Sequence, residues 1–225
     1  MIPWEHLGSA RAPGDGEELS LYRHGSEFSI RVKNRPLMDS TVHGSEDALA
    51  ELACVRVARR SQPRVLIGGL GMGYTAAAAL RYLDRTAQVV VAELVPAVVE
   101  WNRTFLGDLA GRPLEDSRVD LRTTDVAELL RRERDAYDAI LLDVDNGPRG
   151  LTRRGNNWLY ADVGLQAAWS ALRAHGVLAV WSAGPDPAFV KRLRRAGFTV
   201  EEVAVRARGD RGGRQHVVWL AQRGG

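Results

Sequence analysis

The sequence predicts an α/β fold: a mostly parallel sheet covered by helices on both faces, edged by an antiparallel hairpin near the C-terminus and preceded by a small antiparallel β-meander. Three observations carry that expectation. Short apolar runs alternate with helical patterns from Val65 to Ala188, as in successive βαβ units. Gly68, Gly69, Gly71 and Gly73 separate the first apolar run, residues 64–67, from a helical stretch that begins near Tyr74 or Thr75. A second apolar run, residues 89–92, ends in Glu93, about twenty residues beyond the last glycine.

Residues 19–23, 28–32 and 37–41 read as short strands, with Phe28, Ile30 and Val32 alternating onto one face and turns at 24–27 and 33–36. Ser45 is placed to cap a helix from residue 46 to about residue 60, with Glu46 and Asp47 near its positive end. The run 64–67 is apolar throughout, as in a parallel strand buried on both faces. Helices centred near Thr75, Ala97, Asp125, Asp162 and Ala188 then alternate with strands near Val89, Val119, Ala139 and Val177. Strands at 199–206 and 216–220, joined through GDRGGR, close the chain as a hairpin. The expected division is a meander in residues 1–44 and a nucleoside-binding domain in residues 45–225.

At 225 residues and 45% hydrophobic composition, the chain can bury one sizeable core with a small appendage. No apolar run reaches the roughly eighteen residues of a membrane span, and the first residues lack a basic stretch followed by an apolar one. A cytoplasmic protein with no membrane association is expected. Cys54, the only cysteine, sits among Leu49, Leu52 and Val55 and reads as a buried inert thiol; no cysteine, histidine and acid spacing suggests a metal. Net charge is +3, but residues 191–225 hold nine basic and three acidic side chains, so that tail is +6 and the remainder −3. Lys191, Arg192, Arg194 and Arg195 lie opposite the apolar Phe189, Val190 and Leu193, which reads as a solvated helix face and not as a nucleic-acid surface.

The glycine loop lets a ligand approach the backbone and the free N–H groups of the following helix, and Glu93 is placed to accept the hydroxyls of a ribose. Gly69, Gly71 and Gly73 satisfy G-x-G-x-G, but the third glycine of a dinucleotide fingerprint would fall on Tyr74, and no lysine and hydroxyl pair follows as in a triphosphate loop. The strand-end rule for open α/β sheets adds Asp125 and the turn from Asp143 to Pro148 to the candidate site.

With TTDVAELL around Asp125 and ILLDVDNGP around Asp143, these features resemble the spermidine-synthase-like branch of the class I S-adenosylmethionine-dependent transferases, whose core is a Rossmann-like class I methyltransferase sheet. The resemblance extends through ELSLYRHGSEFSIRVKNRPLMDSTVHGSEDALAEL in front and LYADVGLQAAWSALRAHGVLAV behind. It implies a donor cradled by Gly69, Gly71 and Gly73, its ribose on Glu93, its adenine on Asp125 and the Val126 N–H, and its reacting arm beside Asp143. It also implies a homodimer through the meander. Asp125 has an equally good reading as the N-cap of the helix at 126–132, and one aspartate can serve both roles.

The polyamine aminopropyltransferases of that branch carry a second acid three residues after the first, where this chain has Asn146, with Asp145 out of step. They carry an acid in the glycine loop, where this chain has Gly71, and an acid, glutamate, tyrosine and histidine where it has Ser45, Glu46, Leu49 and Ala50. Arg149, Arg153 and Arg154 would oppose a polyamine. These departures favour a methyltransferase using S-adenosylmethionine on a small-molecule acceptor, with Gly71 leaving room for the donor carboxylate. The alternatives are an aminopropyltransferase using decarboxylated S-adenosylmethionine and a non-catalytic nucleoside-binding scaffold. Asp143, with Asp145 or His43, is the expected proton acceptor; Glu46, Asn146, Asn156, Trp158 and Tyr160 are the expected acceptor contacts.

Overall fold

The computed structural model describes residues 3–13, 17–144 and 157–225. Among the described residues eleven strands form two sheets. The first is an antiparallel meander of β1 (Glu5–Arg11), β2 (Glu18–His24), β3 (Glu27–Val32) and β4 (Arg35–Asp39). The second contains β5 (Arg64–Gly68), β6 (Gln88–Glu93), β7 (Val119–Thr123), β8 (Tyr137–Leu142), β9 (Leu172–Ser182), β10 (Thr199–Arg206) and β11 (Gln215–Gln222), in the order β10-β11-β9-β8-β5-β6-β7. Only β11 runs against its neighbours, so the sheet is parallel except at the expected C-terminal hairpin. The Rossmann-like α/β fold is the one observed.

Alternation along the strands explains the two cores. Val65, Ile67, Val89, Val91 and Leu141 face one side with Leu49, Ala53 and Ala78, while Leu66, Val90, Ile140 and Leu178 face the other with Leu130, Leu165 and Phe189. The central strands β5, β6 and β8 are buried on both faces, which is why their sequences lack a polar alternation. The covering helices begin on local signals. The alanine run of α2 (Tyr74–Tyr82) favours helix, and Asp125 caps α4 (Val126–Arg132) by accepting from Ala127 N at 2.8 Å. Asp186 caps α7 (Pro187–Arg195), which has Pro187 in its first turn. The remaining helices are α1 (Gly44–Cys54), α3 (Pro96–Trp101), α5 (Asn157–Tyr160) and α6 (Asp162–Ala171). Among the described residues no helix is long and apolar enough to cross a membrane.

Two local expectations change. The meander has a fourth strand, β1, whose sequence EHLGSAR offers no apolar alternation; it is recruited by pairing with β2, with an irregularity between His6 and Gly8. The helix expected at 46–60 starts at Gly44 and ends at Cys54, with no side-chain cap at its N-terminus. Beyond Cys54 the chain tightens, with Arg56 N and Val57 N bonding three residues back, and Val55 is left exposed. That turn delivers Arg60 to Asp138, whose side chain is 2% exposed and also accepts from Arg173 and Arg64 N, all within 2.8 Å. Asp138 thereby ties β5, β8 and β9 together at the N-terminal end of the parallel sheet.

The meander is not a free appendage. Leu21, Phe28 and Ile30 belong to the same buried cluster as Val65 and Val89. The Tyr74 hydroxyl donates to Ser40 O at 2.9 Å, and Gly8 lies against Trp101. The meander therefore covers the C-terminal ends of β5 and β6, where the sheet's strand order reverses between β5 and β8.

Candidate active site

A cavity of about 410 Å³ occupies that reversal point, between the meander, the glycine loop, the strand ends and the C-terminal hairpin. Gly69 and Gly71, Glu93, Asp125 and Val126, and Asp143 all line it, so the sequence-predicted donor residues come together. Gly73 supports the loop from behind, packed toward Pro113 and Asn102.

Each loop glycine has positive φ, and two also meet close neighbours. A Cβ on Gly69 would lie 2.7 Å from Asp143 O, where β5 and β8 diverge. A Cβ on Gly71 would lie 2.5 Å from Met38 Cε. The apolar end of Met38, carried in by β4, therefore lies over Gly71, a neighbour that local sequence did not place there.

Glu93 is buried at 7% exposure, so it is not a solvated loop residue. Its carboxylate accepts from Leu70 N at 2.9 Å and Val95 N at 2.8 Å, which pins the glycine loop to the end of β6. Burial raises its pKa while those backbone bonds oppose the rise. The N–H groups of Gly71 and Leu94 also act on this carboxylate and help hold it ionised. Asp125 caps α4 and also lines the cavity.

Asp143 follows the buried β8 and accepts from Thr75 Oγ1 at 2.7 Å. Thr75 was not singled out in the sequence; its signal is its place in the first turn of α2, beside the strand ends. Glu46 faces Asp143 from the start of α1. Burial first, then the Asp143 charge, pushes the Glu46 carboxyl up to about 8, and burial raises Asp143 as well. The two carboxyls thus form a pair in which burial favours the neutral form of each.

Ser45, expected as a helix cap, instead donates to Glu46 Oε2 at 2.8 Å. With its proton committed there, the Ser45 oxygen accepts from Nδ1 of His216 at 3.1 Å. His216 packs edge-on against Trp181, at 4.8 Å between ring centroids, and burial lowers its pKa with help from the charge of Arg214. Trp181, Arg214 and His216 complete the cavity wall. Sequence reasoning missed all three because only the folded hairpin brings residues near 215 beside residues near 45.

His43 is turned away from the proton-acceptor role. Its ring stacks on Tyr74 at 4.1 Å and 13°, Nδ1 meets Asp47 Oδ2 at 2.7 Å, and it is not part of the cavity wall. Trp158 and Tyr160 also lie elsewhere. Arg131 covers the Trp158 ring at 4.0 Å, while buried Tyr160 donates to Val144 O at 3.2 Å and packs edge-on against Phe189. Neither is among the described residues that line the cavity. Asp145, Asn146, Arg149, Arg153, Arg154 and Asn156 lie outside the described residues.

Comparison with known proteins places this geometry. A family model described as "Spermine/spermidine synthase domain" matches residues 47–186, more than half of the chain. No curated protein matches. Among solved structures, a spermidine synthase in complex with the transition state analogue AdoDATO is 18% identical, with a TM-score of 0.78 over 97% of this chain and 74% of its own. A spermidine synthase from Thermotoga maritima is also 18% identical, with a TM-score of 0.73 over 97% of this chain and 73% of its own. A probable spermidine synthase from Corynebacterium glutamicum is 14% identical, with a TM-score of 0.66 over 96% and 79%. The matched family and these structures are named for spermine and spermidine synthesis and none for methyl transfer, which overturns the expectation of a methyltransferase.

Proposed function

Because this chain belongs to the spermine/spermidine synthase family, we propose that it is a transferase moving an aminopropyl group from decarboxylated S-adenosylmethionine to an amine. The observation that carries this reading is the charge of the cavity wall. Among the described residues six acidic side chains line it, from Glu17, Asp39, Glu46, Glu93, Asp125 and Asp143, against one arginine, Arg214, and a cation brought among them favours the ionised form of those whose pKa burial raises. A donor bearing a sulfonium and an ammonium, with no carboxylate, suits such a wall. The thioether of Met38 over Gly71 offers nothing to a donor carboxylate.

In this mechanism the acceptor nitrogen attacks the methylene next to the sulfonium. The N–C bond forms as the C–S bond breaks, the C–S electron pair stays on sulfur, and methylthioadenosine leaves. Glu93 and Asp125 orient the nucleoside, and Asp143 stands beside the reacting arm. The acceptor must lose a proton to expose its lone pair, and the Glu46 and Asp143 pair takes it. An arriving sulfonium stabilises the ionised form of both carboxyls, so donor binding prepares the pair to act as base. Positioning the two reactants supplies much of the remaining acceleration.

Calorimetry with S-adenosylmethionine and its decarboxylated form tests the reading. The decarboxylated donor should bind at least about tenfold more tightly, a difference of about 1.4 kcal/mol, and adding a primary amine should release methylthioadenosine. Equal or tighter binding of S-adenosylmethionine would overturn it, and donor binding without turnover across an amine panel would leave a binding protein.

A further inference from the structure

Resting on aminopropyl transfer at this site, we propose that the acceptor is an amine that also carries a carboxylate, held with its nitrogen at Glu46 and Asp143 and its carboxylate on Arg214. The cavity has two ends of opposite character. Its donor end is built from the glycine loop, Glu93, Asp125 and Asp143. The other end is built from Ser45, Trp181, Arg214 and His216.

Arg214 is exposed at the cavity wall, and among the described residues its guanidinium has no carboxylate or carbonyl partner. It lies two residues before His216, at the bend that opens β11, with Arg214 O accepting from Ala207 N at 2.9 Å, and both residues line the cavity. His216 reaches Glu46 through Ser45 by two hydrogen bonds of 3.1 and 2.8 Å. The Arg214 charge is near enough to His216 to help lower its pKa. Trp181, against the His216 ring, carries a buried Nε1 that has no hydrogen-bond partner. This end therefore offers a free guanidinium at the cavity wall, which suits an anion.

The arrangement is fixed and not a matter of loop chance. Gly44 N donates to Ala207 O at 2.9 Å, and a Cβ on Gly44 would fall 2.1 Å from Gly209 N. The start of α1 is thus pressed against the hairpin, which sets Glu46 and Arg214 in one frame. The proposed donor has no carboxylate, so an anion for Arg214 must come from the acceptor. A plain diamine would instead bring a second ammonium toward this guanidinium.

The test compares 1,4-diaminobutane, ornithine, which is the same diamine with a carboxylate on one end, and 4-aminobutanoate, with methylthioadenosine release as the readout. At least one carboxylate-bearing amine should exceed the diamine in kcat/KM by about tenfold, the size of one charge-assisted hydrogen-bond contact. Arg214→Ala should narrow that ratio, and Arg214→Glu should reverse it. A wild-type preference for 1,4-diaminobutane, or a ratio unmoved by either variant, overturns the proposal while aminopropyl transfer stands. Decarboxylated donor bound but no turnover with any of the three also overturns the acceptor class. Failure to bind that donor in calorimetry fails the underlying reading instead.

Discussion

At the scale of single residues, the Glu46 and Asp143 pair concentrates the consequences. Glu46 holds its proton up to about 8 in the folded chain, against an ordinary value of 4.5. Between those values the native state binds more protons than the unfolded state, so stability is full below the lower one and is lost as pH rises through the upper one. Urea unfolding of the wild type should therefore weaken between about pH 5 and pH 8.5, whereas Glu46→Gln should flatten the profile. An unchanged slope in that variant would assign the dependence to other groups. Asp143→Asn keeps the shape but removes a carboxylate from the pair. Methylthioadenosine release should fall about a hundredfold to ten-thousandfold while the fold persists. Because the Asp143 charge helps raise Glu46, the same variant should move the Glu46 titration downward, readable by NMR.

At the scale of elements, β4 and the glycine loop form a contact that a substitution can open. Gly71→Ala imposes strain at φ +52°, whereas the end of Met38 can swing aside, so stability and donor affinity should fall mainly through the backbone. Adding Met38→Ala should therefore recover little, as thermal unfolding of the single and double variants would show. The strand, glycine loop and acid sequence around β5, α2 and β6 was legible because each step has a local signal: an apolar run, glycines, an alanine-rich helix and a terminal acid. Met38, Thr75 and Arg214 were not, since their roles come from contacts between segments far apart in the chain. Ser45 shows the limit most plainly. Its type and position suit a helix cap, yet Glu46 and His216 engage its hydroxyl, a competition that local sequence does not contain. At the opposite end of the sheet, Asp138→Ala would leave Arg60 and Arg173 without their buried partner. A loss of about 1 to 3 kcal/mol in denaturant unfolding is expected, since both guanidiniums can still be solvated while the Arg64 N–H loses its acceptor. Donor affinity should be preserved, since the cavity lies at the other ends of the strands.

At the scale of the whole molecule, the two sheets are joined by one buried cluster, and the reacting groups come from both ends of the chain as well as its middle. Net charge runs the other way from the site: the chain is +3, whereas the cavity wall is dominated by carboxylates. A cationic ligand approaching from afar thus meets a weakly repelling body and is drawn in only within reach of the cavity mouth. Local capture of this kind operates over about one Debye length, roughly 10 Å at 0.1 M salt. Stopped-flow association of the decarboxylated donor should therefore slow as salt rises, while dissociation changes much less. The acidic wall in this way becomes a gate on arrival, selecting ligands by the rate at which they are collected before any contact inside the cavity distinguishes them.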